Sequence, residues 1–569
     1  MAAIDLTRRE KDVLAALCRP LYGDDVVAQP ASVREIATEL VVTDAAVKQH
    51  LLHLYDKFAI ADGGERRRVS LARAAIGLGV VDAPARLVAA GASAAGEDGV
   101  AAARAACERH EWARAADLFE AAAATQPLGP DDLVMQGEAL LWTNRHDESL
   151  TSEERAYQAY IRADEERRAG HVAVLLTVHN GVRLDMAVAG GWLAKAKNLL
   201  EADTECREHG YLAFVLAHIS EAAGDWDAVL ELAGRMRTLG ERHGDADLKA
   251  MGLAFEGRVM TRRGSLDTGR RLLDEAMASA ASGELGMMAT GAIYCLMLCS
   301  CLALQDYRRA GEWTEVVDRC AHTTGHGGFP GDCRTHRTDV LVKRGAWAQG
   351  EQEALRAFDE TQAFDLIHAG AASYSLGELR LRRGDIDAAE EAFLRAHEFS
   401  FSPQPGIALV QLARGDATAA LASVDEALDD PALDGLARVP LLLARVEIAL
   451  AQADVDALYA AADELEQTAT TIATPALAAS AAFARGSAEL VDGNPLEAAR
   501  LFELAHQRWL DAETPYEATR ARELLAQAQL GAGRADGGRL ALAATRAAFQ
   551  RLGARLDTER VELQLAALT

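Results

Sequence analysis

The feature that most restricts what this chain can fold into is a punctuated repeat at nearly constant spacing. Short turns precede Ala-rich amphipathic segments at Gly224-Asp225, Gly264-Ser265, Gln305-Asp306, Gly345-Ala346, Gly384-Asp385, Gly415-Asp416, Ala453-Asp454, Gly493-Asn494 and Gly533-Arg534. From Gly224 onward the successive steps are 40, 41, 40, 39, 31, 38, 40 and 40. An earlier set at His110, Asn144 and Gly190 steps by 34, 46 and then 34 to Gly224. A unit of this size holds two helices and a tight turn. Such a hairpin cannot bury its apolar face alone, so neighbours must stack.

The second helix of each unit reads x-x-A-x-x-x-(F/L)-x-x-A, and Asp387–Ala396 is a clear instance. Its alanines allow close helix approach, and Phe393 and Leu394 are expected to fill the gap. The reading is all-α: residues 101–569 form a solenoid of about twelve helical hairpins. Gly553–Thr569, carrying Leu556, Val561, Leu563 and Leu565, is the candidate closing helix. Composition agrees, being rich in strong helix formers with only 13 Pro and 5% aromatics. This pattern resembles the tetratricopeptide repeat, with longer helices, and the repeat region of large MalT-like activators.

The N-terminal stretch breaks the period. Residues 31–60 predict two short helices about a tight turn, Val33–Leu40 and Asp44–Lys57. Thr43 is an N-cap candidate for the second. The apolar stripe of that helix is Val47, Leu51, Leu54 and Phe58, and its opposite face carries Ala45, Lys48, Gln49, Leu52 and His53. Two helices at this spacing make the unit whose second helix enters a DNA major groove.

Four blocks then appear in order: Leu6–Leu14 (LTRREKDVL), Arg34–Ala37 (REIA), Ala46–Leu51 (AVKQHL) and Lys57–Ile60 (KFAI). They resemble the LuxR/GerE-type helix-turn-helix family, of an actinobacterial kind, and the resemblance is confined to the N-terminal module. Ala46 replaces the family Thr, and Cys18–Pro30 lengthens the first connection. The module also stands at the start of the chain, whereas in much of the family it stands at the end. The resemblance implies base contacts by Lys48 and Gln49 and an apolar contact from Leu52. It leaves Thr43, His50 and Lys57 to phosphate or scaffold roles. Arg66, Arg67 and Arg68 follow the helix directly and are candidates for phosphate contact.

Charge is unevenly divided. Residues 1–80 hold 11 basic and 11 acidic side chains, so the net charge of −27 falls entirely on the remainder. An acidic body repels phosphate backbones, and DNA binding must be local to the N-terminal module. The domains are therefore read as 1–82 for DNA binding, 83–100 (Ala-, Gly- and Ser-rich) as linker, and 101–569 as the solenoid.

Enzyme chemistry finds no support. With seven lysines and no Gly-Lys dipeptide, the chain has no Walker A loop, and neither G-x-S-x-G nor H-E-x-x-H occurs. No cofactor and no metal are expected. Cys295 and Cys299 share one face of the apolar segment IYCLMLCSCLAL and read as core. Cys320, His322, His326, Cys333 and His336 occupy an unusual loop whose spacing matches no zinc motif. His326, Phe329, Cys333, His336 and Arg337 are candidates for an effector pocket there. Trp226, Trp313 and Trp347 read as packing residues at equivalent repeat positions. No charged-then-apolar leader opens the chain and no apolar run is long enough to span a bilayer, so a cytoplasmic location is expected.

The reading is a transcriptional regulator, not an enzyme. Its head would read double-stranded DNA as a homodimer, and its solenoid would sense an unknown protein, peptide or small molecule. The alternative is a tetratricopeptide scaffold whose N-terminal module binds protein.

Overall fold

In the computed structural model, residues 6–19, 30–40, 42–58, 60, 67–68, 71–72, 75, 97–201, 205–323 and 331–568 are described. These form 28 helices, with no strand among the described residues. The chain divides into two compact units, 1–156 and 157–569. No described helix is long and apolar enough to cross a membrane.

Unit one begins with three short helices: α1 (Arg8–Cys18), α2 (Val33–Leu40) and α3 (Asp44–Lys57). Each is started by a side chain. Thr7 and Glu10 form a reciprocal capping box on α1, Ser32 and Glu35 do the same on α2, and the Thr43 hydroxyl accepts the Ala46 N–H. Their apolar stripes meet in one small core of Leu14, Leu17, Ile36, Val47, Leu51 and Leu54, joined by Leu71, Ala72 and Ala75 from the following segment.

Hairpins then begin at Glu97, just inside the expected linker. Twelve follow in chain order, from Glu97–Glu108 with Trp112–Ala123 to Pro515–Gly531 with Ala535–Leu552, and Arg555–Ala566 closes the series. Each expected turn residue from Gly224 to Gly533 has positive φ, as do His110 and Asn144. The third early turn is corrected: Gly190 lies inside the helix Met186–Glu201, and the turn residue is Leu184 (φ 61°). A glycine was the wrong cue there, because any residue held in the left-handed region can close the turn.

Small residues set the spacing between helices. A side chain on Gly257 would stand 2.8 Å from the Gly269 carbonyl oxygen, so these two helices touch backbone to backbone. Within Asp387–Ala396, Ala389, Ala392, Phe393 and Ala396 are buried, but Leu394 is 52% exposed. Leu394 therefore does not fill the gap. The closing helix likewise buries Val561 and leaves Leu563 74% exposed. Trp313 is not equivalent to the other two tryptophans. Trp226 and Trp347 open their helices, whereas Tyr307 holds that position in Tyr307–Thr323.

Unit two coils tightly enough to touch itself. Arg262 pairs with Asp434, 172 residues away, and Thr474 Oγ donates to the Leu304 carbonyl at 2.9 Å across 170 residues. Arg344 reaches Glu513 at 2.6 Å, and Arg555 donates to the Gly384 carbonyl at 2.7 Å across 171 residues. Successive hairpin turns thus seat on helix starts at a nearly constant distance along the chain. A side chain at Gly264 (φ 81°) would collide with the Thr471 carbonyl, so the contact needs glycine for conformation and for space.

Candidate functional site

In the first candidate site, α3 is amphipathic in the required sense. Val47, Leu51 and Leu54 are buried in the head's core, while Lys48, Gln49 and His53 are exposed and Leu52 is 54% exposed. His50 is half-buried between the two faces. Thr43 is exposed and caps the helix; Ala45 lies in its first turn.

Of the neighbouring cations, Lys57 takes the scaffold role among its two expected ones, and Arg67 and Arg68, candidates for phosphate contact, meet groups of the head itself. Lys57 Nζ lies 2.8 Å from Glu10 Oε2, and Glu10 is almost fully buried. The Lys57 hydrogen bond and the capping bonds from Thr7 outweigh burial and hold the Glu10 carboxyl down at about 2. Arg67 lies over the Tyr55 ring at 4.6 Å and donates to the Ile60 carbonyl at 3.2 Å. Arg68 donates to the Ala31 carbonyl at 3.1 Å. These three side chains hold the head's own backbone and core. Arg66 lies outside the described residues.

The second candidate is the interior of unit two. The coiling of hairpins 287–566 leaves a cavity of about 1280 Å³, larger than a typical small-molecule site. Its wall combines aromatic rings (Tyr307, Tyr374, Phe483, Trp509, Tyr516) with buried charge. Glu378 accepts from Lys343 and Arg382, and Arg382 also reaches Glu517 at 2.7 Å. Burial raises the Glu378 carboxyl, but Lys343 and Arg382 overcome it and hold it at about 2. Asp339 is pushed up to about 6 by burial, partly offset by the hydroxyl of Ser375. A second knot joins Glu523 with Arg520 at 2.9 Å and Arg560 at 2.7 Å. Arg382 Nη1, Glu517 Oε2 and Arg520 Nε are buried without a hydrogen-bond partner among the described residues. No single segment marked this wall in the sequence, because its residues come from helices far apart in the chain, from Leu302 to Arg560.

The expected effector loop is only partly visible. Residues 324–330, with His326 and Phe329, and the side chains of Cys320, His322 and Cys333 lie outside the described residues. His336 and Arg337 sit on the helix Gly331–Lys343, half-buried. Cys295 and Cys299, read as core, are partly buried, and each sulfur also faces His336. Cys301 does behave as core, against Met297 Sδ at 3.7 Å.

No family model and no curated protein matches the sequence. Among solved structures, the chain is similar to a Rap protein complexed with competence and sporulation factor (10% identity, TM-score 0.43, covering 64% of this chain and 100% of that one). It is also similar to the APC/C hetero-tetramer Cut9–Hcn1 (13%, TM-score 0.45, 84% and 90%) and to yeast Tom70 (11%, TM-score 0.32, 81% and 94%).

Proposed function

We propose that this protein is a partner-binding helical-repeat body joined to a DNA-reading head, and so an effector-responsive transcriptional regulator of LuxR/GerE type. The observation that carries the reading is the division of α3. Val47, Leu51 and Leu54 lock it to α1 and α2, while Lys48, Gln49, Leu52 and His53 stand together on the open face. That face has the chemistry of major-groove readout: a cation and an amide for base edges, and an apolar group for a thymine methyl. One such head binds weakly, so a homodimer on a two-fold site is expected. The body would bind its effector, a protein, a peptide or a small molecule, in the aromatic and charged interior.

A second reading keeps the body and changes the head. Lys57, Arg67 and Arg68 are engaged by the chain itself, and residues 1–80 carry no net charge. Both observations suit an adaptor whose head binds protein. Selection of sequences from random duplex DNA by the full-length protein separates the two. A two-fold motif that is lost in the Lys48→Ala, Gln49→Ala double variant supports the regulator. Absence of any motif, with shallow salt dependence of residual DNA binding, overturns it in favour of the adaptor.

A further inference from the structure

Three consecutive hairpins bring three soft ligands together, Cys295, His336 and His368, with Cys299 beside one of them. Cys295 and Cys299 lie one turn apart on Met287–Ala303, His336 on Gly331–Lys343, and His368 in the first turn of Leu366–Arg383. One nitrogen, His336 Nε2, is 3.1 Å from Cys295 Sγ and 3.4 Å from Cys299 Sγ. The ligand atoms of Cys295, His336 and His368 all lie within 4.8 Å of one another. The His336 and His368 rings meet edge to face, with centroids 5.7 Å apart.

These separations can be tested against a metal. With Zn–S near 2.3 Å and Zn–N near 2.0 Å, tetrahedral angles put sulfur and nitrogen ligands roughly 3.5 Å apart. Both observed S···N distances, 3.1 and 3.4 Å, fall slightly short of that separation. A simple thiol–imidazole hydrogen bond would need one sulfur, whereas here one ring nitrogen faces two and a second imidazole adjoins them.

The outer shell adds an independent observation. Asp365 caps Leu366–Arg383 through Oδ1, which accepts the His368 N–H at 3.1 Å. Its other oxygen, Oδ2, lies 2.8 Å from His368 Nδ1. A carboxylate on one ring nitrogen fixes the tautomer that offers the other, the arrangement that commonly orients a metal-bound histidine.

We infer that Cys295, His336 and His368 form a structural zinc site that clamps three successive hairpins, with Cys299, 3.4 Å from His336 Nε2, as the adjacent fourth ligand and Asp365 orienting His368. Two thiolates and two imidazoles suit a borderline-soft ion with tetrahedral preference. The site uses no residue of the proposed DNA face, and it stands or falls apart from that reading. In a solenoid each hairpin contacts chiefly its neighbours, so a clamp across three of them adds cohesion that packing alone does not supply.

The test is metal analysis of the purified full-length protein, followed by cobalt substitution. About one zinc per chain is expected, and cobalt should give a tetrahedral spectrum with thiolate charge transfer. Cys295→Ser with His336→Gln should abolish both, while Cys301→Ser should leave both intact. Asp365→Asn should weaken zinc binding about 10- to 100-fold with helix content retained, which decides the matter if the double variant does not fold. Absence of stoichiometric metal after zinc reconstitution, or metal retained in the double variant or with unchanged affinity in Asp365→Asn, would overturn the inference.

Discussion

Glu10 and Lys57 are 47 residues apart and form an ion pair at 2.8 Å. The same Oε2 that meets Lys57 accepts the Thr7 backbone N–H, so one carboxylate closes α1 and ties it to the end of α3. A group of this kind couples the head's stability to pH. The Glu10 carboxyl is held at about 2, below its unfolded value, so its contribution is fully present above that unfolded value, near 4.5. It is lost as pH falls through the range between 4.5 and about 2. Glu10→Gln should cost on the order of 2 kcal/mol at neutral pH and flatten this acid dependence. Amide exchange of Leu17 and Leu51 in the full-length protein checks it. Unchanged protection at both would show the pair to be inconsequential.

The basic residues of the head should separate into two kinds. Lys48→Ala should reduce the salt slope of DNA binding by about one and leave the head's stability alone. Arg67→Met should lower the head's stability, because it removes the stack on Tyr55 and the bond to Ile60, and should change the salt slope little. The opposite pattern would reverse their assigned roles.

Adjacent residues on one helix offer a sharper contrast. Phe393 is buried between Tyr374 and the backbone near Gly377 and Gly406. Phe393→Ala should cost about 3–5 kcal/mol. Leu394→Ala, on the exposed face, should stay within about 0.5 kcal/mol. Denaturant unfolding followed by local exchange at Ala392 and Val410 measures both; equal effects would contradict the packing described.

The self-contact of unit two can be loosened at one bond. Thr474 Oγ both donates to the Leu304 carbonyl and accepts the Leu477 N–H. Thr474→Val removes both at nearly constant volume and should cost about 1–3 kcal/mol. Solution scattering should show a wider body, and exchange should rise at Leu304 and Leu477 together. Opening at only one of them would mean that the coil does not close there.

The hairpin period was readable because turns and small residues are local necessities. A tight turn needs a residue that tolerates positive φ, and Gly, Asn or a polar residue announces it. Leu184 and Gly190 show the limit, since context can force an ordinary residue into the turn and leave the glycine in a helix. The cap at Thr43 was equally legible, because it meets the Ala46 N–H within one helical turn, whereas the Thr7–Glu10 box emerged only in the structure.

What the sequence determined was the set of local preferences: helix nearly everywhere, a turn at each repeat, and an amphipathic α3 with its cap at Thr43. Tertiary structure decided which faces meet. It turned Leu394 outward while burying Phe393, because only one of two adjacent helical residues can face the next hairpin. It drew Lys57, Arg67 and Arg68 onto the head itself. It brought Arg262 to Asp434 and gathered Cys295, His336 and His368, because coiling fixes distances between residues that periodicity leaves unrelated. The first kind of information is carried by spacings of a few residues. The second depends on how each hairpin rotates against the last, a small angle that accumulates over many repeats and is written in no single one of them.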